Sequence, residues 1–317
     1  MAENAQPTSF TYGPVPSRRL GMSLGVDIVP PKICTLDCVY CQLGRTTRSS
    51  VVREDFVDIE AVLAEIKGKF DAGLKADFIT LGGSGEPTLN SRLGDLIDRI
   101  HRFTKVPVAV LTNGTLFFRK DVRAECIKAD MVAPSLDAGD AATFEAMNRP
   151  NRDITFEKLV WGLEQFRREY SGQLWLEVFL IAGVNTDAGQ IDLIKGLIQR
   201  IRPDKVHLNT AVRPPAEPDV QAVPQDVLDR IARQIGGNCE VIGGAPTGLI
   251  DRHESHTEAD IVSVLKRRPC SLEDLCTGLG ITRNEAVKHI ARLQEAGAIT
   301  SEYRGEVAYF HIRPDNR

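Results

Sequence analysis

The 317-residue chain reads as an α/β protein built on parallel strands and followed by a second, smaller unit. Two observations predict this. Short β-branched runs alternate with longer amphipathic stretches from residue 23 to about 209, and near Asp251 the pattern changes to three helices and a hairpin. A third observation bears on chemistry. Cys34, Cys38 and Cys41 lie in one eight-residue stretch, Cys-Thr-Leu-Asp-Cys-Val-Tyr-Cys, directly after the first strand-like run.

Strands are expected at 23–29, 77–81, 108–112, 130–136, 174–182 and Lys205–Thr210, with helices such as 59–70, Leu93–Phe103, 155–170 and 191–201 between them. In the first helix Ile59, Val62, Leu63, Ile66 and Phe70 recur at helical spacing, as in a helix packed on a sheet. Six strands each followed by a helix imply parallel strands joined by right-handed crossovers. A closed eight-stranded barrel needs two more repeats. Residues 213–224 hold Pro214, Pro215, Pro218 and Pro224 and read as a loop or linker. Gln225–Ile235 then reads as a helix and 240–242 as a short strand.

In the last unit a helix is expected over 257–267. Ser271, with Glu273 and Asp274, opens a second helix that stops at Gly278 or Gly280. Thr282 caps a third, 283–296, ended by Gly297, and strands 298–303 and Val307–Ile312 turn at Arg304-Gly305-Glu306. This looks like a winged helix-turn-helix over about the last 60 residues. Its charge restrains a nucleic-acid reading: from His253 onward nine Lys or Arg minus ten Asp or Glu leaves −1. The third helix mixes Arg283, Lys288 and Arg292 with Glu285 and Glu295, whereas DNA binding favours a clearer basic face. A peptide, a protein or the chain's own larger domain competes with nucleic acid as the partner of this unit. His253 and His256 are expected in a solvated linker, since a metal site needs further ligands.

With 42% hydrophobic and 26% charged residues and a net charge of −4, composition gives no argument for an obligatory nucleic-acid or membrane partner. No apolar run approaches the roughly 20 residues needed to span a bilayer. Residues 1–10 lack the basic-then-apolar layout of a signal peptide, so a cytoplasmic location is expected. Of seven cysteines, Cys126, Cys239, Cys270 and Cys276 are scattered and read as small buried hydrophobes. Cys34, Cys38 and Cys41 are too closely spaced for that, and in a chain with no sign of secretion they suggest a metal rather than disulfides. Structural zinc takes four protein ligands, and the next Cys or His after Cys41 is His101. A cubane iron–sulfur cluster has four irons, so three thiolates leave one iron open. Positions i, i+4 and i+7 also share one helical face, although Pro30 and Pro31 argue against a helix running into the stretch.

The spacing C-x3-C-x2-C, with aromatic Tyr40 before the last cysteine, resembles the radical SAM superfamily. That resemblance implies a partial (β/α)6 barrel and a [4Fe–4S] cluster on Cys34, Cys38 and Cys41. It also implies S-adenosylmethionine chelated at the open iron and an electron donor such as flavodoxin or ferredoxin. Gly82-Gly83-Ser84-Gly85-Glu86-Pro87-Thr88 resembles the family's Gly-Glu-Pro motif, which implies Gly83, Gly85 and Glu86 at the methionine amino group. Thr112-Asn113-Gly114 and Ser135-Leu136-Asp137 resemble strand ends that serve the ribose and the methionine carboxylate. Glu177 and the loop Ala182-Gly183-Val184-Asn185 are expected by the adenine. Asn209 ends the sixth strand, and Arg213 beyond it is expected to reach substrate or cofactor.

Residues 13–21, with Cys41-Gln42-Leu43-Gly44, resemble a little-characterised branch related to wybutosine-type tRNA-modifying enzymes. Within it Arg18 and Arg19 either bind an anionic substrate or salt-bridge to the barrel. The division expected is a barrel over 1–251, with its core at about 13–213, and a winged helix-turn-helix over 252–317. The function expected is a radical SAM enzyme acting on RNA, a peptide or protein, or a small molecule. The alternative is an iron–sulfur redox-sensing regulator that binds nucleic acid.

Overall fold

The computed structural model describes residues 9–17, 19–242 and 258–313. Arg18, His253 and His256, and the boundary near Asp251, lie outside these residues. An antiparallel hairpin, β1 (Thr11–Ser17) and β2 (Gly21–Val26), opens the chain. The cysteine loop follows, with the short parallel pair β3 (Ile33–Cys34) and β4 (Arg48–Ser49) inside it. Next come α1 (Ile59–Asp71), β5 (Phe78–Leu81), α2 (Leu93–Phe103), β6 (Val108–Leu111), α3 (Lys120–Cys126) and β7 (Met131–Ala133). After them lie α4 (Ala141–Asn148), α5 (Phe156–Glu169), β8 (Gln173–Leu180), α6 (Ala188–Ile201), β9 (Lys205–Thr210), α7 (Gln225–Ile235) and β10 (Cys239–Val241).

The six expected strands are β2 and β5 to β9. They lie side by side and parallel in an eight-stranded sheet of order β1-β2-β5-β6-β7-β8-β9-β10. Two edge strands complete it: β10, parallel to β9, and β1, antiparallel to β2. β1 was not expected, because its Gly-Pro-Val-Pro run gives no alternating pattern. β7 stops at Ala133 rather than reaching 136, since Pro134 has no N–H for the ladder.

Right-handed crossovers place the helices on one face of a parallel sheet. Accordingly Leu24, Ile79, Val108, Val110, Val132, Leu174 and Leu176 pack on α1, α2, α3 and α5, and Val178, Leu180, Val206 and Leu208 on α6 and α7. Alternation turns the intervening residues to the other face. There Leu20, Ala109, Met131 and Ala133 form a small apolar cluster with Phe78, Leu111 and Trp175, and polar residues take the remaining places. One helix-covered face and one largely polar face suit the wall of a partial barrel.

The described remainder is α8 (Glu258–Leu265), β11 (Cys270–Ser271), α9 (Leu272–Leu279), α10 (Arg283–Glu295), β12 (Ile299–Arg304) and β13 (Val307–Ile312). Its sheet has the order β11-β13-β12. Ser271 with Asp274, and Thr282 with Glu285, form reciprocal capping boxes at α9 and α10, and Gly280 closes α9 in the left-handed conformation. Ile261, Leu265, Leu275, Ile290, Leu293 and Ile312 build a core that Val15 of β1 joins.

This unit is tied to the larger sheet by its arginines. Arg267 Nε donates to Asp27 Oδ2 at 2.6 Å, and its guanidinium lies 4.3 Å from the centre of the Tyr12 ring. Arg304 donates to the carbonyls of Arg213 (2.8 Å) and Val220 (3.1 Å). Arg213 is paired with Asp274 at 3.0 Å, which corrects the expectation that it reaches substrate or cofactor. Among the described residues no helix is long and apolar enough to cross a membrane.

Candidate functional site

β2 delivers the cysteine loop to the C-terminal edge of the sheet, where the loops after the other parallel strands also emerge. Between 37 and 44 the loop is a series of turns, so the shared helical face is not realised. Asp37 N–H donates to the Asn148 carbonyl (3.0 Å) and Val39 N–H to that of Met147 (2.9 Å), stitching the loop to the end of α4.

Each of the three sulfurs accepts from a side-chain N–H donor. Asn113 Nδ2 is 3.5 Å from Cys34 Sγ, Asn148 Nδ2 is 3.4 Å from Cys38 Sγ, and Lys32 Nζ is 3.2 Å from Cys41 Sγ. Burial pushes the Cys34 thiol up to about 12 and the Cys38 thiol well above its ordinary value, and Cys34 and Cys41 both oppose ionisation of Cys38. Such thiols stay protonated unless a cation takes the sulfur, so donors waiting on all three suit metal-bound thiolates. Among the described residues no group of three or more His, Cys, Asp or Glu is placed to hold a single metal ion. A cubane differs in this respect, because it receives its thiolates on separate irons. Asn148 Oδ1 is buried beside the sulfurs with no hydrogen-bond partner.

The glycine-rich loop after β5 lies against the lead-in to the cysteines. Lys32 N–H donates to the Ser84 carbonyl (2.8 Å) and Glu86 N–H to that of Ile33 (3.0 Å). A Cβ on Gly85 would sit 2.7 Å from the Ile33 oxygen, and one on Gly83, at φ +114°, 2.4 Å from Asp27 Oδ1. Gly85 therefore lets backbone approach backbone, and Gly83 lets the Asp27 carboxylate close on the loop. Glu86 is 2% exposed. Its Oε1 accepts from Thr88 N (3.0 Å), Thr88 Oγ1 (2.6 Å) and Thr112 Oγ1 (2.5 Å), and its Oε2 from Asn113 N (2.8 Å). Burial raises its pKa against those donors. The carboxylate is thus spent on the loops around it. Asn113 and Thr112 share this network, with Asn113 Nδ2 also donating to Thr35 Oγ1 at 2.8 Å.

Tyr40 stacks on Phe179 of β8, ring centroids 3.9 Å apart, and its hydroxyl donates to Asp137 Oδ2. Asp137 also accepts from Asn148 Nδ2 (2.8 Å) and from Phe179 N (2.8 Å). Burial raises its pKa to about 6 against these donors.

Glu177 points from β8 to the polar face and ion-pairs with Arg19, the second of the two roles foreseen for that arginine. Asn209 Nδ2 donates to Glu177 Oε1 at 2.9 Å. Ser135 sits opposite Glu177 in an isolated bridge. Asn185 is fully buried. It donates to the carbonyls of Asp137 (2.7 Å) and Phe179 (2.8 Å) and accepts from Ile181 N (2.8 Å), so its amide holds the loop after β8.

Sequence reasoning missed Asn148, Lys32 and Asp27. Asn148 ends a short helix and carries no signal beyond that. Lys32 follows two prolines next to the cysteines, which was the available hint.

An α/β scaffold with helices on one face, and three cysteines facing polar loops at its C-terminal strand edge, defines an enzyme of the parallel-barrel class. The model of the radical SAM superfamily matches residues 28–190. The chain belongs to the radical SAM superfamily and is a radical SAM enzyme. It is 30% identical to a UPF0026 protein of Methanocaldococcus jannaschii over 312 residues, 95% of each chain. It is 34% identical over 299 residues, 93% of its length, to a protein of Brachyspira hyodysenteriae named GTPase Obg, but spans only 44% of that protein. The solved structure of TYW1 with a lysine-pyruvate adduct bound resembles it with a TM-score of 0.53 at 20% identity, over 71% of this chain and 75% of that one. Superfamily membership implies a [4Fe–4S] cluster and S-adenosylmethionine, and the regulator reading is not favoured.

Proposed function

We propose that Cys34, Cys38 and Cys41 hold a [4Fe–4S] cluster whose open iron binds S-adenosylmethionine. Once bound, that pair would supply reductive cleavage of S-adenosylmethionine, with one electron from an external donor, to methionine and a 5′-deoxyadenosyl radical for hydrogen abstraction from the substrate. The chain's own part is to hold and shield. Asn113, Asn148 and Lys32 stabilise thiolate charge on the three sulfurs. Glu86 and Thr112 fix the glycine loop with Gly83 and Gly85, so that backbone rather than the Glu86 carboxylate meets the methionine amino group. Asn113, Ser135 and Asp137 line the sugar and carboxylate side. Asn185 shapes the adenine loop from behind. Tyr40 closes the loop on Phe179. Glu177 and Asn209, with Arg19, form the polar wall behind the cofactor and face the substrate space. The observation that carries this reading is the set of three half-buried cysteines in the loop after β2, each sulfur with an N–H donor of its own.

The barrel spans 1–251, and 252–317 form a winged helix-turn-helix. The order helix, strand, helix, helix, hairpin over 258–312 supports the latter. The chain falls in the branch related to wybutosine-type tRNA-modifying enzymes, works in the cytoplasm, and takes its electron from a donor such as flavodoxin or ferredoxin. Its substrate is RNA, a peptide or protein, or a small molecule. The winged unit spends Arg267 and Arg304 on the barrel, which favours a role as part of the catalytic body over a free nucleic-acid reader.

The test is anaerobic. Reconstituted, chemically reduced protein is mixed with S-adenosylmethionine and 5′-deoxyadenosine is measured. Its formation by wild type and its loss in Cys38→Ala are expected. Cofactor binding with no cleavage would refute the proposal.

A further inference from the structure

Lys32 is the one cation among the three donors to sulfur, and its backbone is held from both sides. It is a non-glycine residue at φ +63°. Its N–H donates to the Ser84 carbonyl at 2.8 Å, and its own carbonyl accepts from Thr47 N (3.0 Å), Thr47 Oγ1 (3.2 Å) and Arg48 N (3.2 Å). A side-chain-bearing residue persists in this conformation only where its surroundings over-determine it, and such outliers gather at functional sites. Here the outcome is the direction of the side chain. Lys32 is 9% exposed, and Nζ lies 3.2 Å from Cys41 Sγ. Among the described residues its ammonium has no carboxylate partner within ion-pair distance. A buried cation without a counter-charge is costly, so the sulfurs and whatever they bind are its natural partner. The Lys32 charge also reaches Cys34, favouring its thiolate.

We propose that Lys32 is the counter-cation of the cluster and sets its reduction potential. The inference rests on the cluster assignment made above. When a low-potential one-electron donor reduces the cluster, the cluster and its three thiolates become one unit more negative. The step moves one electron and no proton, and the attraction between the Lys32 side chain and the sulfurs grows. Charge and hydrogen bonds at the sulfurs are among the levers that tune such clusters. Asn113 and Asn148 contribute dipoles to Cys34 and Cys38. Lys32 contributes a full charge to Cys41, so it carries the larger share. An arginine in its place keeps the charge, whereas methionine keeps the stem and loses it.

The experiment is an electron paramagnetic resonance redox titration of reconstituted full-length protein without S-adenosylmethionine, comparing wild type, Lys32→Met, Lys32→Gln and Lys32→Arg. Iron is counted in each preparation. At a fixed applied potential, Met and Gln are expected to lower the ratio of reduced to oxidised cluster at least tenfold, about 59 mV for one electron. Arg is expected to restore most of it. Loss of the cluster from Met and Gln with normal loading of Arg also supports the counter-charge. Normal loading with an unchanged potential in Met and Gln overturns the inference, as does loss of the cluster from all three variants alike, which would mark a steric role. If wild type itself takes up no cluster, the assignment above fails, separately from this inference.

Discussion

Replacing Glu86 by alanine is expected to destabilise the protein even when no cofactor is present. The truncation removes the acceptor for two backbone N–H groups, Thr88 (3.0 Å) and Asn113 (2.8 Å), and for the hydroxyls of Thr88 and Thr112. The hydroxyls can turn to other partners, and Thr112 Oγ1 already accepts from Gly114 N at 3.0 Å. The backbone groups cannot turn away. Each orphaned buried N–H costs about 1–3 kcal/mol, giving about 2–6 kcal/mol for the pair. Relief of carboxylate burial, the cause of its raised pKa, offsets part of this. A net loss of about 2–4 kcal/mol is expected. Urea unfolding of the apoprotein, followed by near-ultraviolet circular dichroism, reads it directly. Glu86→Gln should lose less, since an amide oxygen replaces one acceptor while its NH2 faces a donor. If Glu86 were merely a ligand for the cofactor ammonium, the apoprotein of Glu86→Ala would unfold within about 0.5 kcal/mol of wild type, as ordinary substitutions away from structural features do. That result would refute the assignment of Glu86 to the loop scaffold.

Gly162→Ala should destabilise by about 1–3 kcal/mol, although alanine normally favours a helix interior by about 1 kcal/mol. Its Cβ would sit 2.6 Å from Phe118 N, and a higher urea midpoint for the variant would contradict this packing. Arg267→Met should cost about 2–3 kcal/mol, somewhat less than a fully buried pair, by leaving Asp27 unpaired. Since Asp27 Oδ1 also holds Ser84 N–H (3.1 Å), hydrogen exchange at Ser84 should quicken in that variant, and unchanged exchange would break the link. Stability should also fall on mild acidification through His207. Burial, helped by the charge of Arg19 and opposed by Glu177, lowers its pKa to about 4. The unfolded imidazole titrates near 6.5, so between these values the unfolded state binds more protons. Stability is therefore lost as pH drops through that window, by up to about 2–3 kcal/mol, and His207→Gln should flatten the dependence. Equal pH profiles for the two proteins would contradict it.

The cysteine loop and the six parallel strands were legible because each rests on a local signal: thiol spacing in one case, and alternation of apolar runs with 3.6-residue periodicity in the other. Gly83, Gly85, Glu86 and Asn185 show where such signals end. Each stood at the expected strand end, but the sequence does not say whether a polar side chain there faces a ligand or a neighbouring loop. Glu86 and Asn185 proved to be absorbed by backbone and threonine partners. Arg213 is the same lesson between distant segments, since its partner Asp274 lies 61 residues away. Asn148, and Lys32 apart from its place beside the cysteines, were missed for a different reason. Their importance comes from a single contact to sulfur, made possible by a short helix end and by a strained backbone, neither of which leaves a periodic trace.

Mössbauer spectra of anaerobically reconstituted protein, recorded with and without S-adenosylmethionine, probe the open iron most directly. About four irons per chain are expected, one of which changes its isomer shift when S-adenosylmethionine is added while the others stay as they were. A spectrum that S-adenosylmethionine leaves unaltered, or protein that binds zinc and no iron, would contradict the account.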